Sequence, residues 1–160
     1  MITYRDTVRA DWIDFNGHMR DGYYVLVVSY ANDAAMERLG LGPDYLVRTN
    51  RTLYNLESHT RYMREAHEGD AIRCDMWLAD ADTKRLHFAA RITDEATGET
   101  LAVTEELLMH ITRAGDRPRG EAFPPAVQAA VDGMREDDRG SEIPRFSTSI
   151  AIRRNTEPVQ

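Results

Sequence analysis

A change of period near residue 50 most constrains how this chain can fold. Before it, Tyr24, Val27, Val28, Ala31, Ala35 and Leu39 recur at helical spacing, until Gly40, Gly42 and Pro43 stop the run. After it, apolar and polar residues alternate over 52–64, 71–81, 85–93 and 100–112. Asp82-Thr83-Lys84 and Ala96-Thr97-Gly98 supply turns between the later runs. With residues 1–14 read as extended, the order is one strand, one long helix, then four antiparallel strands. That order predicts an α+β fold, a curved five-stranded sheet wrapped around a central helix.

In the run 52–64 the alternation groups Tyr54, Leu56 and Tyr62 on one face and Asn55, Glu57, His59 and Arg61 on the other. In 100–112 it puts Glu105 with Leu101, Val103, Leu107, Met109 and Ile111, and Glu106 with His110 on the opposite face. A carboxylate in such an apolar row is costly unless paired. Two uses stay open: an ion-pair network, or a pocket for a cationic group built from carboxylate and aromatic faces.

Residues 14–24, Asp-Phe-Asn-Gly-His-Met-Arg-Asp-Gly-Tyr-Tyr, join a carboxylate and a glycine turn to the start of the helix. Asp21 reads as the N-cap, with the helix beginning near Gly22. The backbone N–H groups of Asp21, Gly22, Tyr23 and Tyr24 then point into the space beside Asp14, where they can hold an oxyanion. Asp14 leads the candidate acids, as a nucleophile or as a base for water, with the cap of its own turn as the alternative. Asn16 can orient water or a carbonyl, and His18 can tie the turn to the sheet or act on a proton. Asp33 and Glu37, on the polar face of the helix, are the fallback acids.

The stretch 14–24 resembles the signature of hotdog-fold acyl-CoA thioesterases of the 4-hydroxybenzoyl-CoA thioesterase superfamily, with Asp14, Gly17, His18, Met19 and Tyr24 in matching places. Tyr62, Arg64, Gly69 and Asp70 resemble the family's second landmark. Glu57-Ser58-His59, Lys84-Arg85-Leu86-His87 and the segment 105–110 are similar to the branch that acts on betainyl-CoA beside carnitine dehydrogenase. Arg20 and Asp21 depart from the Asn-Asn pair that many members carry. The resemblance implies thioester hydrolysis by Asp14 with Asn16 and His18, and an acyl pocket shaped by Arg20, Glu57, His59 and Glu106. It also implies a homodimer or dimer of dimers with sites between subunits. Coenzyme A enters as part of the substrate, with no other cofactor and no metal. Two other classes stay open: a dehydratase, whose acid would follow the helix, and an inert ligand-binding cone.

Composition agrees with one domain, 42% hydrophobic and 29% charged over 160 residues. A net charge of -7 argues against nucleic-acid binding. The chain has no apolar run of membrane-spanning length and no signal-peptide pattern, so a cytoplasmic location is expected. Cys74 is the lone cysteine and reads as packing. Residues 1–112 form the expected thioesterase domain, and 113–160 an extension. The extension holds a short helix from Pro124-Pro125 with Val127, Val131 and Met134 on one face, then an alternating run at 146–152 and a flexible tail. Arg113, Arg117 and Arg119 are candidates for CoA phosphates or plain solvated charge.

Overall fold

The computed structural model describes residues 1–144, 150 and 152. In chain order it contains β1 (Ile2–Thr7), a 3-10 turn (Ala10–Trp12), α1 (Asp21–Arg38), α2 (Pro43–Thr49), β2 (Arg51–Tyr62), β3 (Ala71–Ala81), β4 (Arg85–Asp94), β5 (Thr100–Thr112), β6 (Arg119–Gly120) and α3 (Pro125–Asp137). The strands form one antiparallel sheet in the order β1-β3-β4-β5-β2, with the two-residue β6 added beside β5. The sheet curls around α1, the expected hotdog arrangement.

Helix α1 buries Tyr24, Val27, Val28, Ala31 and Ala35 against Ile72, Cys74, Met76, Phe88 and Leu108 of the sheet. One polar side chain, Asn32, lies in that stripe and is buried with it. Asp21 is the first helical residue rather than the cap. Arg20 takes the cap position in extended conformation, because its N–H donates to the Trp12 carbonyl at 2.9 Å and ties it to the preceding turn. Gly40, at φ 72°, ends the helix as expected. Pro43 does more than stop the chain: it opens α2 from the first turn, where a missing N–H costs nothing.

The expected extended segment 1–14 breaks after Thr7. Val8 N–H donates to the Asp70 carbonyl at 2.9 Å, and the chain then turns through Ala10–Trp12. Strands β3, β4 and β5 follow the predicted runs closely, and the Asp82 carboxylate builds the first hairpin by accepting the Lys84 and Arg85 N–H groups.

Strand β2 departs from simple alternation. Asn55 lies opposite Leu108 and Glu57 opposite Leu107, so Leu56 is an unpaired extra residue, a β-bulge. From that point the faces exchange. Asn55, Ser58, Thr60 and Tyr62 face the helix, while Glu57, His59 and Arg61 take the outer face; both expected groupings are split.

Helix α3 packs on β3, with Val127, Val131 and Met134 buried as their spacing predicts. Most of the run 146–152 lies outside the described residues. Ile150 and Ile152 are both buried, and Ile150 N–H donates to Glu105 Oε2 at 2.9 Å on the sheet's outer face. No described helix is long and apolar enough to cross a membrane.

Candidate active site

Asp14 closes the turn that precedes α1. Its Oδ1 accepts the Asn16 N–H at 2.7 Å and the His18 N–H at 3.4 Å, and Oδ2 accepts the Asn16 side-chain amide at 3.3 Å. Gly17, at φ 83°, makes the turn with a conformation that a Cβ would strain. Partial desolvation pushes the Asp14 pKa up, but the donors from Asn16 and His18 and the charge of Arg20 outweigh it. The carboxyl is held below the ordinary range and is ionised at neutral pH.

Beside this turn, a cleft of about 580 Å³ opens between the first turn of α1 and the end of β2. Met19, Asp21, Tyr24, Tyr62, Glu65 and His67 are among its walls. Tyr62 meets Tyr24 edge to face at 5.4 Å and donates from its hydroxyl to the Asp21 carbonyl at 3.3 Å. Burial raises both phenol pKa values, so each tyrosine presents a neutral ring. His18 reaches Glu65 at 3.6 Å and packs its ring against the edge of His67. The Gly22 N–H is occupied by the Asp21 carboxylate at 2.8 Å and the Tyr23 N–H by the Arg20 carbonyl at 3.0 Å. A substrate carbonyl reaching the Gly22 donor would have to displace that carboxylate.

Structure thus brings Asp14, Asn16 and His18 into one turn, next to the cleft that holds Asp21 and Tyr24. Asp14 itself is outside the cleft walls, its oxygens turned to its own loop. Arg20 is exposed beside the same turn. The proposed acyl-pocket residues do not converge within one subunit. Glu106 faces α1, whereas Glu57 and His59 lie on the outer face because of the bulge at Leu56.

What surrounds Glu106 is a second polar cluster. The carboxylate is 2% exposed and accepts from Asn32 Nδ2 at 2.5 Å, Asn55 Nδ2 at 2.9 Å and the Ser58 hydroxyl at 3.1 Å. Sequence reading missed all three partners. Asn32 carried a signal, a polar residue four after Val28 and three before Ala35 in the apolar stripe. Asn55 and Ser58 carried none, since the bulge puts them on one face. On the outer side, Glu105 is also buried, 3.7 Å from His87. Arg113 lies over the Tyr54 ring at 5.6 Å, and Arg119 sits on β6. Among the described residues, no group of three or more His, Cys, Asp or Glu is placed to hold a metal.

Comparison with known proteins identifies this frame. The profile of the Thioesterase-like superfamily matches residues 8–131. The chain belongs to this superfamily. It is 35% identical to the betainyl-CoA thioesterase of Pseudomonas aeruginosa, over 90% of this chain and 89% of that one. It is also 33% identical to L-carnitine dehydrogenase/betainyl-CoA thioesterase of Rhizobium meliloti, over 73% of this chain but 23% of that longer protein. A candidate thioesterase structure from Pseudomonas putida superposes with a TM-score of 0.80 at 32% identity, covering 96% and 97% of the two chains. A Staphylococcus aureus protein solved in complex with CoA superposes with a TM-score of 0.81 at 27% identity, covering 95% of each chain. Like other members of the superfamily, this chain is a thioester hydrolase.

Proposed function

We propose that this thioesterase hydrolyses betainyl-CoA to betaine and CoA, in the cytoplasm, as a homodimer or a dimer of such dimers. The observation that carries the reading is the identity with the betainyl-CoA thioesterase of Pseudomonas aeruginosa over nine-tenths of the chain. The cleft at the start of α1, beside an ionised Asp14, supports the chemistry.

In this mechanism the thioester carbonyl lies against the first turn of α1. The N–H groups of Asp21, Gly22, Tyr23 and Tyr24 lie nearest the charge that develops on its oxygen. Asp14 attacks the carbonyl carbon and expels CoA thiolate, leaving an acyl-aspartyl anhydride that water then hydrolyses, or it takes a proton from water that attacks instead; Asn16 orients the attacking group and His18 fixes the turn. Thiolate is a good leaving group, so no metal is required to activate it. Arg20 and Glu106 shape the acyl end, and Arg113, Arg117 and Arg119 are candidates to meet the CoA phosphates.

Strand β2 supplies the reason for a dimer. It stands at the edge of the sheet with twelve residues, and its stretch from Asn55 to Ser58 is exposed. Pairing with a second copy satisfies this edge.

The test is thiol release by the purified protein from betainyl-CoA, acetyl-CoA, a medium-chain acyl-CoA and 4-hydroxybenzoyl-CoA, without added metal. Preference for betainyl-CoA is the expected result. Preference for another ester keeps the hydrolase and discards the substrate; release from none moves the chain to the class of acyl-CoA binders.

A further inference from the structure

The Glu106 cluster is unbalanced in a way that points to a ligand. Among the described residues, the three groups donating to the carboxylate are all neutral, and it is almost wholly buried. A buried carboxylate calls for a countercharge. Beside it, Asn32 Oδ1 is buried with no hydrogen-bond partner among the described residues. Two acceptors therefore sit together, one charged and one unsatisfied. The cluster can be approached from the sheet edge, where Asn55 and Ser58 are exposed.

Its distance from the cleft of its own subunit is informative. Tyr24 and Asn32 are eight residues apart on α1, about 12 Å of helix rise. Tyr62 pairs with Ala102 and Ser58 with Glu106, so the same gap along the strands is four residues, about 13 Å. In a betainyl group the nitrogen lies two bonds from the carbonyl carbon, about 2.5 Å. Glu106 is too far to meet a cation whose thioester lies at the start of its own helix.

A dimer paired through β2 removes that gap. Antiparallel pairing with its dyad close to Thr60, the register this reading requires, would set Tyr62 of one copy opposite the partner's Ser58, about 5 Å away, both facing the helices. The Glu106 carboxylate lies over Ser58, bonded to its hydroxyl at 3.1 Å. The partner's Glu106 would then stand across from the Tyr62 ring, at the wall of the cleft.

We infer that Glu106 of one copy, held by Asn32, Asn55 and Ser58, is the anionic subsite for a cationic acyl group whose thioester occupies the partner's cleft. This rests on the thioesterase and β2-paired dimer proposed above. A trimethylammonium, which has no N–H to donate, suits a carboxylate on one side and an aromatic ring on the other.

The experiment compares betainyl-CoA with 3,3-dimethylbutanoyl-CoA, its uncharged carbon isostere. In Glu106→Gln the ratio of kcat/KM for the charged over the uncharged ester falls about 100-fold, through KM. Ser58→Ala, on the exposed strand, lowers the same ratio about tenfold and serves if Glu106→Gln does not fold. Co-refolding Asp14→Asn with Glu106→Gln recovers about a quarter of wild-type betainyl-CoA activity, because half of randomly formed dimers are mixed and each carries one intact site. An unchanged ratio in both variants overturns the subsite. No recovery on mixing overturns its action across the dimer. A wild-type protein that cleaves the isostere but not betainyl-CoA refutes the substrate instead, leaving the hydrolase standing.

Discussion

Cys74 should be silent toward thiol reagents, and the size of that silence tests the packing on which the cleft depends. It lies in the middle of β3, 0% exposed, within the core that α1 covers. Burial, with the negative charges of Asp75 and Glu106 adding to it, pushes its pKa from 9.0 up to about 12. At pH 8 a thiol of pKa 9 is about one-tenth thiolate, whereas Cys74 is about one part in ten thousand. Reaction with Ellman's reagent should therefore be about a thousandfold slower than for an ordinary cysteine, before steric exclusion is counted. A free thiol labelled within seconds becomes one labelled over hours. In 6 M guanidinium chloride one thiol per chain should appear at once. One equivalent released within a minute under native conditions would refute the packing of α1 on β3. The expected silence also frees the thiol-release assays from background.

Asp14→Asn should lower kcat for the preferred ester by about 100-fold or more. Its thermal midpoint should stay close to wild type, since the remaining carbonyl oxygen can still accept the Asn16 and His18 N–H groups; turnover within tenfold of wild type would remove Asp14 from the mechanism. Because the Asp14 pKa is lowered, the acid limb of the kcat/KM profile should fall below the ordinary carboxylate range, and a limb at or above it would contradict the turn geometry. For stability the sign is the same. Asp6 and Asp82 are opposed by desolvation but held low by their hydrogen bonds and neighbouring arginines, so their contribution is present above the unfolded carboxylate pKa. It is lost as pH falls through the folded values, so the urea midpoint should drop below about pH 4; a rise on acidification would reverse the assignment.

Wherever side-chain period alone decides, the fold was legible. The stripe Tyr24-Val27-Val28-Ala31-Ala35 and the three later strands emerged with boundaries near those observed. Parity correctly put Glu105 and Glu106 on opposite faces. Legibility failed where a backbone event has no side-chain signature. Leu56 is an apolar residue in an alternating run, and nothing in its identity says that it is unpaired. Pro43 ends one helix and begins another, and only its helix-ending use was read. Asp21 has the chemistry of a cap, yet the bond from Arg20 to Trp12 moves the cap one residue back. For the site, the turn around Asp14 could be read because its donors are local in sequence. The Glu106 cluster draws on α1, β2 and β5; Asn32 stood out as the polar break in an apolar stripe, but nothing local joins it to Asn55, Ser58 and Glu106.

The bulge in β2 works like a one-letter insertion with its own correction built in. Deleting Leu56 would join Asn55 to Glu57 while every later residue kept its partner on β5, so the strand would still spell the same two faces. Deleting any one residue from 58 to 60 offers no such repair: the residues between the bulge and the lesion would move to the wrong side of the sheet or slip along it. Length variation among natural or engineered versions should therefore collect at positions 56 and 57, leaving residues 58 to 60 intolerant of deletion.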